Sequence, residues 1–434
     1  MYIQGGYRVG NRFVPLSFDK HKLLSTMQEV GIGAMILTSP ENVFYATGYP
    51  VLASAGNPIL HTLSNQFPVV ACIDCEGKVM LACWLVSTLG ADFGADELLL
   101  YLDREGATGE IRKLVDHAAT QPGRVGIEST CPYHVVKMLE ESCGMGATGV
   151  NSARVDASAG GARTVAAGTT GSDAGMAGAA SGRGDQGGGV SGDSRVVLVD
   201  ALMLDMRVVK SAAEIAFLEK SIRIVERSVS ELFDLLRPGM SRLDLISKAK
   251  EIMAANGASG VSHVTVSFGK ENPELAIDET LVGDRLVTLD LGAFYQGYAS
   301  DNRRYVYTGT PPAALVKAHD MMVDIVDQVG AALCPGTPEG DIFQLAVELF
   351  NRHGLDPFFD HAGHHIGLQT EERWITSASK RPLQAGMVIN IELYTPVEGI
   401  DFVGNEETFV IDVSGSRRIS QLSREIISLS SEVW

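Results

Sequence analysis

Two pairs of acids set the chemistry open to this 434-residue sequence. Asp290 and Asp301 lie in RLVTLDLGAFYQGYASDNRRYVYTG, and Glu392 and Glu406 in MVINIELYTPVEGIDFVGNEETFVID. In each, turn-forming residues separate two largely apolar runs that read as hairpin strands. Facing residues of an antiparallel ladder keep a constant index sum. Asp290 and Asp301 therefore oppose each other if the turn is centred between Tyr295 and Gln296, and Glu392 and Glu406 if it is centred on Gly399. Both sequences place a turn, Tyr295-Gln296-Gly297 and Pro396-Val397-Glu398-Gly399-Ile400, near where that pairing needs it. Opposed β-carbons are about 5 Å apart, and two buried carboxylates at that spacing are costly unless a proton or cation lies between them. Four carboxylates and one imidazole would suit a pair of divalent ions about 3.5 Å apart, with Mn²⁺ placed first and Co²⁺, Zn²⁺ or Fe²⁺ also fitting. One acid turned to solvent on a strand is ordinary; two such hairpins beside a histidine cluster are better explained by metal.

The imidazole is expected from HAGHHIGL, residues 361–368. His364 follows Gly363, whose missing side chain would let backbone approach an ion closely. His361 and His365 could each support a ligand or face substrate. His21, His117, His319 and His353 fall on helix faces or ends, and His61 and His134 in loops; all six read as surface or core residues. Cys72 and Cys75 form a lone C-x-x-C with no second pair to complete a tetrahedral site, so ordinary buried thiols are expected. Six irregularly spaced cysteines without a secretion signal give no disulfide framework.

The elements that must position these residues divide into three parts. Residues 1–150 alternate helical and strand patterns (HKLLSTMQEVGI, AMILT, FPVVACID, KVMLACWL) and predict an α/β domain. Residues 151–194 are a Gly/Ala/Ser tract with almost no large apolar side chain, which reads as a flexible insertion. Residues 195–434 predict an α+β domain, with helices grouped around long antiparallel strands. Ser211 with Glu214 caps one helix there, and Ser241 opens a second with Leu243, Ile246, Ala249 and Met253 on one face. Thr337 with Pro338 starts a third that ends at Gly354. A formal net charge of −18 disfavours nucleic acid and anionic membranes as partners. With no apolar leader in MYIQGGYRVGNRF and no run of about 20 apolar residues, a cytoplasmic protein is expected.

The ordered motifs D-L-G…S-D-x-x-R (Asp290 to Arg304), G-H-x-I-G-L (Gly363 to Leu368), I-E (Ile391-Glu392) and N-E-E-T (Asn405 to Thr408) resemble those of the pita-bread metallopeptidase superfamily. V-K-S-x-x-E-I (Val209 to Ile215) is similar to the start of the catalytic domain in its Xaa-Pro branch, the aminopeptidases P and prolidases. S-P-E-N-V-F-Y-A-T-G (Ser39 to Gly48) is similar to the accessory N-terminal domain of that branch and of creatinase. The resemblance implies a pita-bread C-terminal domain behind a creatinase-like α/β domain, and a homodimer. It also implies two divalent metal ions. Asp290 would bind one, Asp301 and Glu406 would bridge both, and His364 with Glu392 would complete the other, with Glu392 as general base. The implied reaction is hydrolysis of Xaa-Pro dipeptides or of the N-terminal Xaa-Pro bond of peptides. Three positions depart from the pattern: Glu371 stands where a histidine is usual, no histidine lies some seventeen residues before Asp290, and Gly404 replaces an arginine. His263 is too far upstream to fill the second gap without an insertion. These departures motivate a second expectation, a creatinase-like or ectoine-type hydrolase, or a lyase, acting on a small zwitterionic, guanidino or cyclic amidine compound.

Overall fold

The computed structural model describes residues 18–49, 67–85, 93–144, 194–269, 279–355 and 359–429, and the backbone of short strands at Tyr2–Ile3, Gly6–Val9, Arg12–Pro15, Ala153–Asp156 and Arg163–Ala166. HKLLSTMQEV forms the helix Lys20–Glu29, whose first turn is capped by Asp19, with Lys22 N donating to its carboxylate at 2.9 Å. The apolar run after it is the strand Ile32–Leu37, buried at every position. Val70–Asp74 and Val79–Trp84 pair antiparallel about Gly77, whose φ of 83° suits a residue without a side chain.

These strands belong to one eight-stranded sheet. Its order is Arg163–Ala166, Ala153–Asp156, Val196–Leu198, Arg124–Ile127, Ile32–Leu37, Val70–Asp74, Val79–Trp84 and Glu97–Tyr101. Alternation gives each face its own core. Met35, Leu37, Ala71, Ile73 and Leu81 pack with Leu23, Met27 and Val43, whereas Ala34, Ile36, Val70, Cys72 and Ala82 pack under Ile111, Leu114, Val135 and Leu139 on the other side.

The sheet crosses the expected domain boundaries. Ala153–Asp156 and Arg163–Ala166 fall in the 151–194 tract yet pair with each other at the sheet's edge. Val196–Leu198, expected to open the C-terminal domain, runs parallel to Arg124–Ile127 instead. Ladder hydrogen bonds need no large side chains, so a poor apolar composition does not forbid a strand. The expected flexible insertion otherwise lies almost wholly outside the described residues.

In the C-terminal half Ser211 and Glu214 form both arms of a capping box on the helix Ala212–Leu235. Ser241 and Asp244 do the same for Arg242–Ala255. The buried stripe of that second helix is Leu245, Ala249, Ile252 and Met253; Leu243, placed on the inner face by the sequence reading, is 41% exposed. The helix Glu339–His353 has Pro338 at its N-cap without a side-chain cap bond, so Thr337 does not cap it, and Gly354 ends it with φ 69°.

Two five-stranded sheets complete this half. One contains Gly260–Ser267, Leu286–Tyr295, Asn302–Thr308 and Ile427–Leu429, with Tyr298–Ala299 completing the hairpin. The other is ordered Arg373–Trp374, Gly363–His365, Val388–Pro396, Phe402–Asp412 and Gly415–Arg418. Val287, Leu289, Leu291 and Ala293 pack beneath Ala212–Leu235 and Arg242–Ala255. Ile389, Ile391, Leu393, Phe409 and Ile411 pack beneath Ala313–Ala331 and Glu339–His353. The period of two turns the intervening Asp290, Asn390 and Glu392 away from the helices. Arg304, the cross-strand partner of Leu289, donates from Nη2 to Glu407 Oε1 at 2.9 Å and ties the two sheets together.

Candidate metal centre

The strands Val388–Pro396 and Phe402–Asp412 pair in the register that sets Glu392 opposite Glu406, as an index sum centred on Gly399 requires. The first hairpin differs from the expectation. Its turn is the two-residue Gln296-Gly297, with φ of 54° and 89°, so Asp290 faces Arg303 and not Asp301. Asp301 lies just before the strand Asn302–Thr308, two residues from Arg303, which keeps it on Asp290's side of the sheet. One donor spans the two acids: His263 Nε2 is 3.1 Å from Oδ1 of each.

A second imidazole comes from His364, fully buried on the strand Gly363–His365. Its Nε2 stands 3.5 Å from Asp301 Oδ2 and 3.7 Å from Glu392 Oε1, too far from either for a good hydrogen bond. Gly363 is required by its neighbour strand: a Cβ there would lie 2.1 Å from Asn390 O. That contact by itself requires the glycine.

The two remaining candidate histidines point to different places. His361 lies beside the cluster, with Nε2 3.3 Å from Glu392 Oε1, Nδ1 2.6 Å from Asp360 Oδ1, and its ring against Trp374. Burial disfavours its charge, but Glu392 and Asp360 outweigh that and raise it above the usual imidazole range. His365 is a correction. Alternation along the strand turns it the other way, into a buried contact between its Nε2 and Glu339 Oε1 at 2.9 Å, so it does not face the carboxylates.

The charge balance points to a cation. Burial pushes the Glu406 carboxyl well above the usual range, and Asp301, Asp290 and Glu392 add to the push. Burial acts the same way on Asp301, yet His263 and His364 overcome it and hold that carboxyl well below the usual range. Around Asp290 the balancing charges are Arg303 and His263. Two buried atoms here, His364 Nε2 and Glu406 Oε2, have no hydrogen-bond partner among the described residues. Unpartnered donor atoms inside a set of hard oxygens and one borderline nitrogen fit a divalent ion. The donor atoms of His263, Asp290 and Asp301 also lie within 4.8 Å of one another, a second arrangement able to hold one.

Two segments of the chain match known families. The creatinase/prolidase N-terminal domain matches residues 20–157, and metallopeptidase family M24 matches residues 216–413. These two matches support the resemblance to the pita-bread metallopeptidase superfamily. It is similar to a protein named Xaa-Pro dipeptidase from Pyrococcus horikoshii, 28% identical over 236 residues that cover 53% of this chain and 67% of that one. An uncharacterised peptidase of Bacillus subtilis is 29% identical over 248 residues, covering 55% and 70%. Among solved structures, the prolidase from Pyrococcus horikoshii OT3 superposes with a TM-score of 0.71 at 20% identity, covering 94% of this chain and 99% of that one. An X-Pro aminopeptidase from Thermotoga maritima superposes at 0.69 and 18%, with the same coverage. The chain is thus a metallopeptidase-like hydrolase with the fold of the Xaa-Pro branch.

The chain's departures from the motifs of that superfamily gather round the carboxylates. Gly404 is where the Tyr394 ring lies down: a Cβ there would sit 2.2 Å from Tyr394 Cδ1. Tyr394 in turn donates its hydroxyl to Glu392 Oε2 at 2.5 Å and carries the Arg303 guanidinium over its face, 4.4 Å from the ring centre. Glu371 is exposed, with its carboxyl raised by burial near the cluster and by the charges of Glu392 and Asp301 against that of His364. Its neighbour Glu372 is fully buried and paired with Lys210.

Sequence reasoning missed His263 and Arg303. His263 is 27 residues from Asp290 along the chain, but its strand pairs with Leu286–Tyr295 through an irregularity between Val261 and His263 that seats it opposite Gly292. A Cβ on Gly292 would lie 2.3 Å from His263 Cε1, and a glycine inside a strand is the available signal of such a close approach. Arg303 would have been found by centring the first hairpin on Gln296-Gly297.

Proposed function

We propose that this chain is a metal-dependent hydrolase of a C–N bond, cleaving Xaa-Pro dipeptides or the N-terminal Xaa-Pro bond of peptides. The observation that carries the reading is the convergence of Asp301, His364, Glu392 and Glu406 on buried, unpartnered donor atoms in a chain 28% identical to a protein named Xaa-Pro dipeptidase. Asp290, Asp301, His364, Glu392 and Glu406 are the residues that would hold divalent ions, with Mn²⁺ placed first. Such ions supply water activation near neutral pH and polarisation of the scissile carbonyl.

The chain's own groups do the rest. Glu392 is the general base, since one oxygen is fixed by the Tyr394 hydroxyl and the other is turned toward His361 and His364. His361, half-buried at the edge of the cluster with Nε2 3.3 Å from that second oxygen, is placed to pass a proton between Glu392 and a leaving amine. Asn390 Nδ2 donates to Glu406 Oε1 at 2.5 Å and fixes which Glu406 oxygen remains available. A homodimer and a cytoplasmic location belong to the same proposal; no helix among the described residues is long and apolar enough to cross a membrane.

A second reading is favoured by Glu371, an anionic group at the cluster's edge suited to a cationic substrate head, as in a small guanidino or zwitterionic compound. One panel separates the two. Mn²⁺-loaded protein should release proline from Xaa-Pro dipeptides, and Glu406→Ala should abolish the release. Turnover only of guanidino or cyclic amidine compounds would replace the first reading with the second, and no turnover of either class by metal-loaded protein would reject both.

A further inference from the structure

Arg303 already supplies a positive charge to Asp290, the carboxylate that a second cation would need. It is the cross-strand partner of Asp290, and both its Nε, at 3.0 Å, and its Nη2 donate to Asp290 Oδ2. The other Asp290 oxygen faces His263 Nε2 at 3.1 Å, so both oxygens of this carboxylate are engaged by nitrogens of the chain. Arg303 Nε is also 3.9 Å from Glu406 Oε2, which places the guanidinium between the Asp290 and Glu406 carboxylates. The group is held from outside as well: it stacks on Tyr394, whose ring is seated over Gly404 and whose hydroxyl is bound to Glu392.

A guanidinium has no lone pair to offer a metal and keeps its charge at every working pH. It therefore cannot share the Asp290–Glu406 gap with a dication as an added ligand, and its charge opposes one entering. The His364 side of the cluster is different. There His364 Nε2 looks toward Asp301 Oδ2 and Glu392 Oε1 without being satisfied by either, and Glu406 Oε2 is likewise without a hydrogen-bond partner among the described residues.

We propose that Arg303 takes the place of one metal ion, so that the site holds a single divalent cation on Asp301, His364, Glu392 and Glu406, with Asp290 bound internally by Arg303 and His263. This rests on the metal-dependent reading above and narrows it from two ions to one. The fixed charge would keep the Asp290 pole neutralised whether or not metal is abundant. The nucleophile would then depend on one ion and on Glu392, without a second ion opposite.

The test is metal stoichiometry. Full-length protein is dialysed to equilibrium against Mn²⁺ and the bound metal measured by plasma mass spectrometry, with electron paramagnetic resonance reporting whether the bound ions are magnetically coupled. One uncoupled Mn²⁺ per chain in the wild type is expected, rising to two in Arg303→Met, with Arg303→Lys remaining at one. Two coupled ions in the wild type would overturn the proposal, and so would one ion in both wild type and a folded Arg303→Met. No bound Mn²⁺ at saturation would instead reject the metal-dependent reading itself. Should Arg303→Met fail to fold, the wild-type count decides alone.

Discussion

Replacing Glu372 by glutamine should cost about 3–5 kcal/mol of folding stability, the usual penalty for breaking a buried ion pair by removing one partner. The Glu372 side chain is fully buried; Lys210, 1% exposed, donates to its Oε2 at 2.9 Å, and Arg207 Nε is 3.4 Å from its Oε1. Burial pushes this carboxyl up, but Lys210 and Arg207 outweigh it and hold it below the usual carboxylate range. At 2.9 Å a unit pair is worth about 6 kcal/mol at an effective dielectric constant of about 20, and relief of the carboxylate's own burial offsets part of that. What remains is an ammonium still within 3.3 Å of Val208 O, and an arginine left with Asn42 and Gln369. Urea unfolding followed by fluorescence would measure the loss as a shift in midpoint at unchanged slope. Lys210→Met/Glu372→Leu should recover part of it, because the ammonium goes with the carboxylate and only the Arg207 guanidinium loses its ion-pair partner. A loss below about 1 kcal/mol for Glu372→Gln, or strict additivity of the single changes, would show that the buried Glu372–Lys210 pair does not stabilise the fold.

Three further outcomes follow from individual contacts. Gly292→Ala would place a Cβ 2.1 Å from Ser262 Oγ and 2.3 Å from His263 Cε1, so His263 must leave Asp290 and Asp301; kcat/KM should fall by about 100-fold, the scale of an ångström-sized misplacement, and an unmoved His263 in a crystal structure with full activity would refute this. Asn390→Ala frees the Glu406 oxygen that Asn390 now fixes, and titration calorimetry should show Mn²⁺ affinity weakened by about 10–100-fold. Burial lowers the His319 imidazole to about 4, from an ordinary 6.5. Below 6.5 the unfolded chain takes up a proton that the folded chain refuses, so this contribution to stability is full above 6.5, falls as the pH drops toward 4, and is lost by then. The total is about 3 kcal/mol, and His319→Phe should flatten that part of a stability profile measured by urea unfolding between about pH 7 and 4.

Much of the site was legible because strands impose period two and hairpins impose index sums. Glu392 and Glu406 could be paired on paper since Gly399 leaves little choice of turn. The first hairpin was harder: Tyr295-Gln296-Gly297 allows neighbouring centres, and choosing the wrong one exchanged Arg303 for Asp301 as the partner of Asp290. Capping boxes at Ser211 and Ser241 are local and were readable, while the buried face of Arg242–Ala255 depends on which neighbour it packs against and was misplaced at Leu243. His263 could not be assigned from spacing, because its approach is made by a third strand and by the absence of a side chain at Gly292. His365 shows the same limit in reverse: its sequence neighbourhood is that of His364, but adjacent strand residues face opposite ways.

The most direct test of the central claim is anomalous diffraction at the manganese edge from crystals grown with saturating Mn²⁺. The account predicts a peak within about 2.5 Å of donor atoms from Asp301, His364, Glu392 and Glu406. Saturated crystals with no peak between those side chains, or with manganese bound only elsewhere, would contradict it.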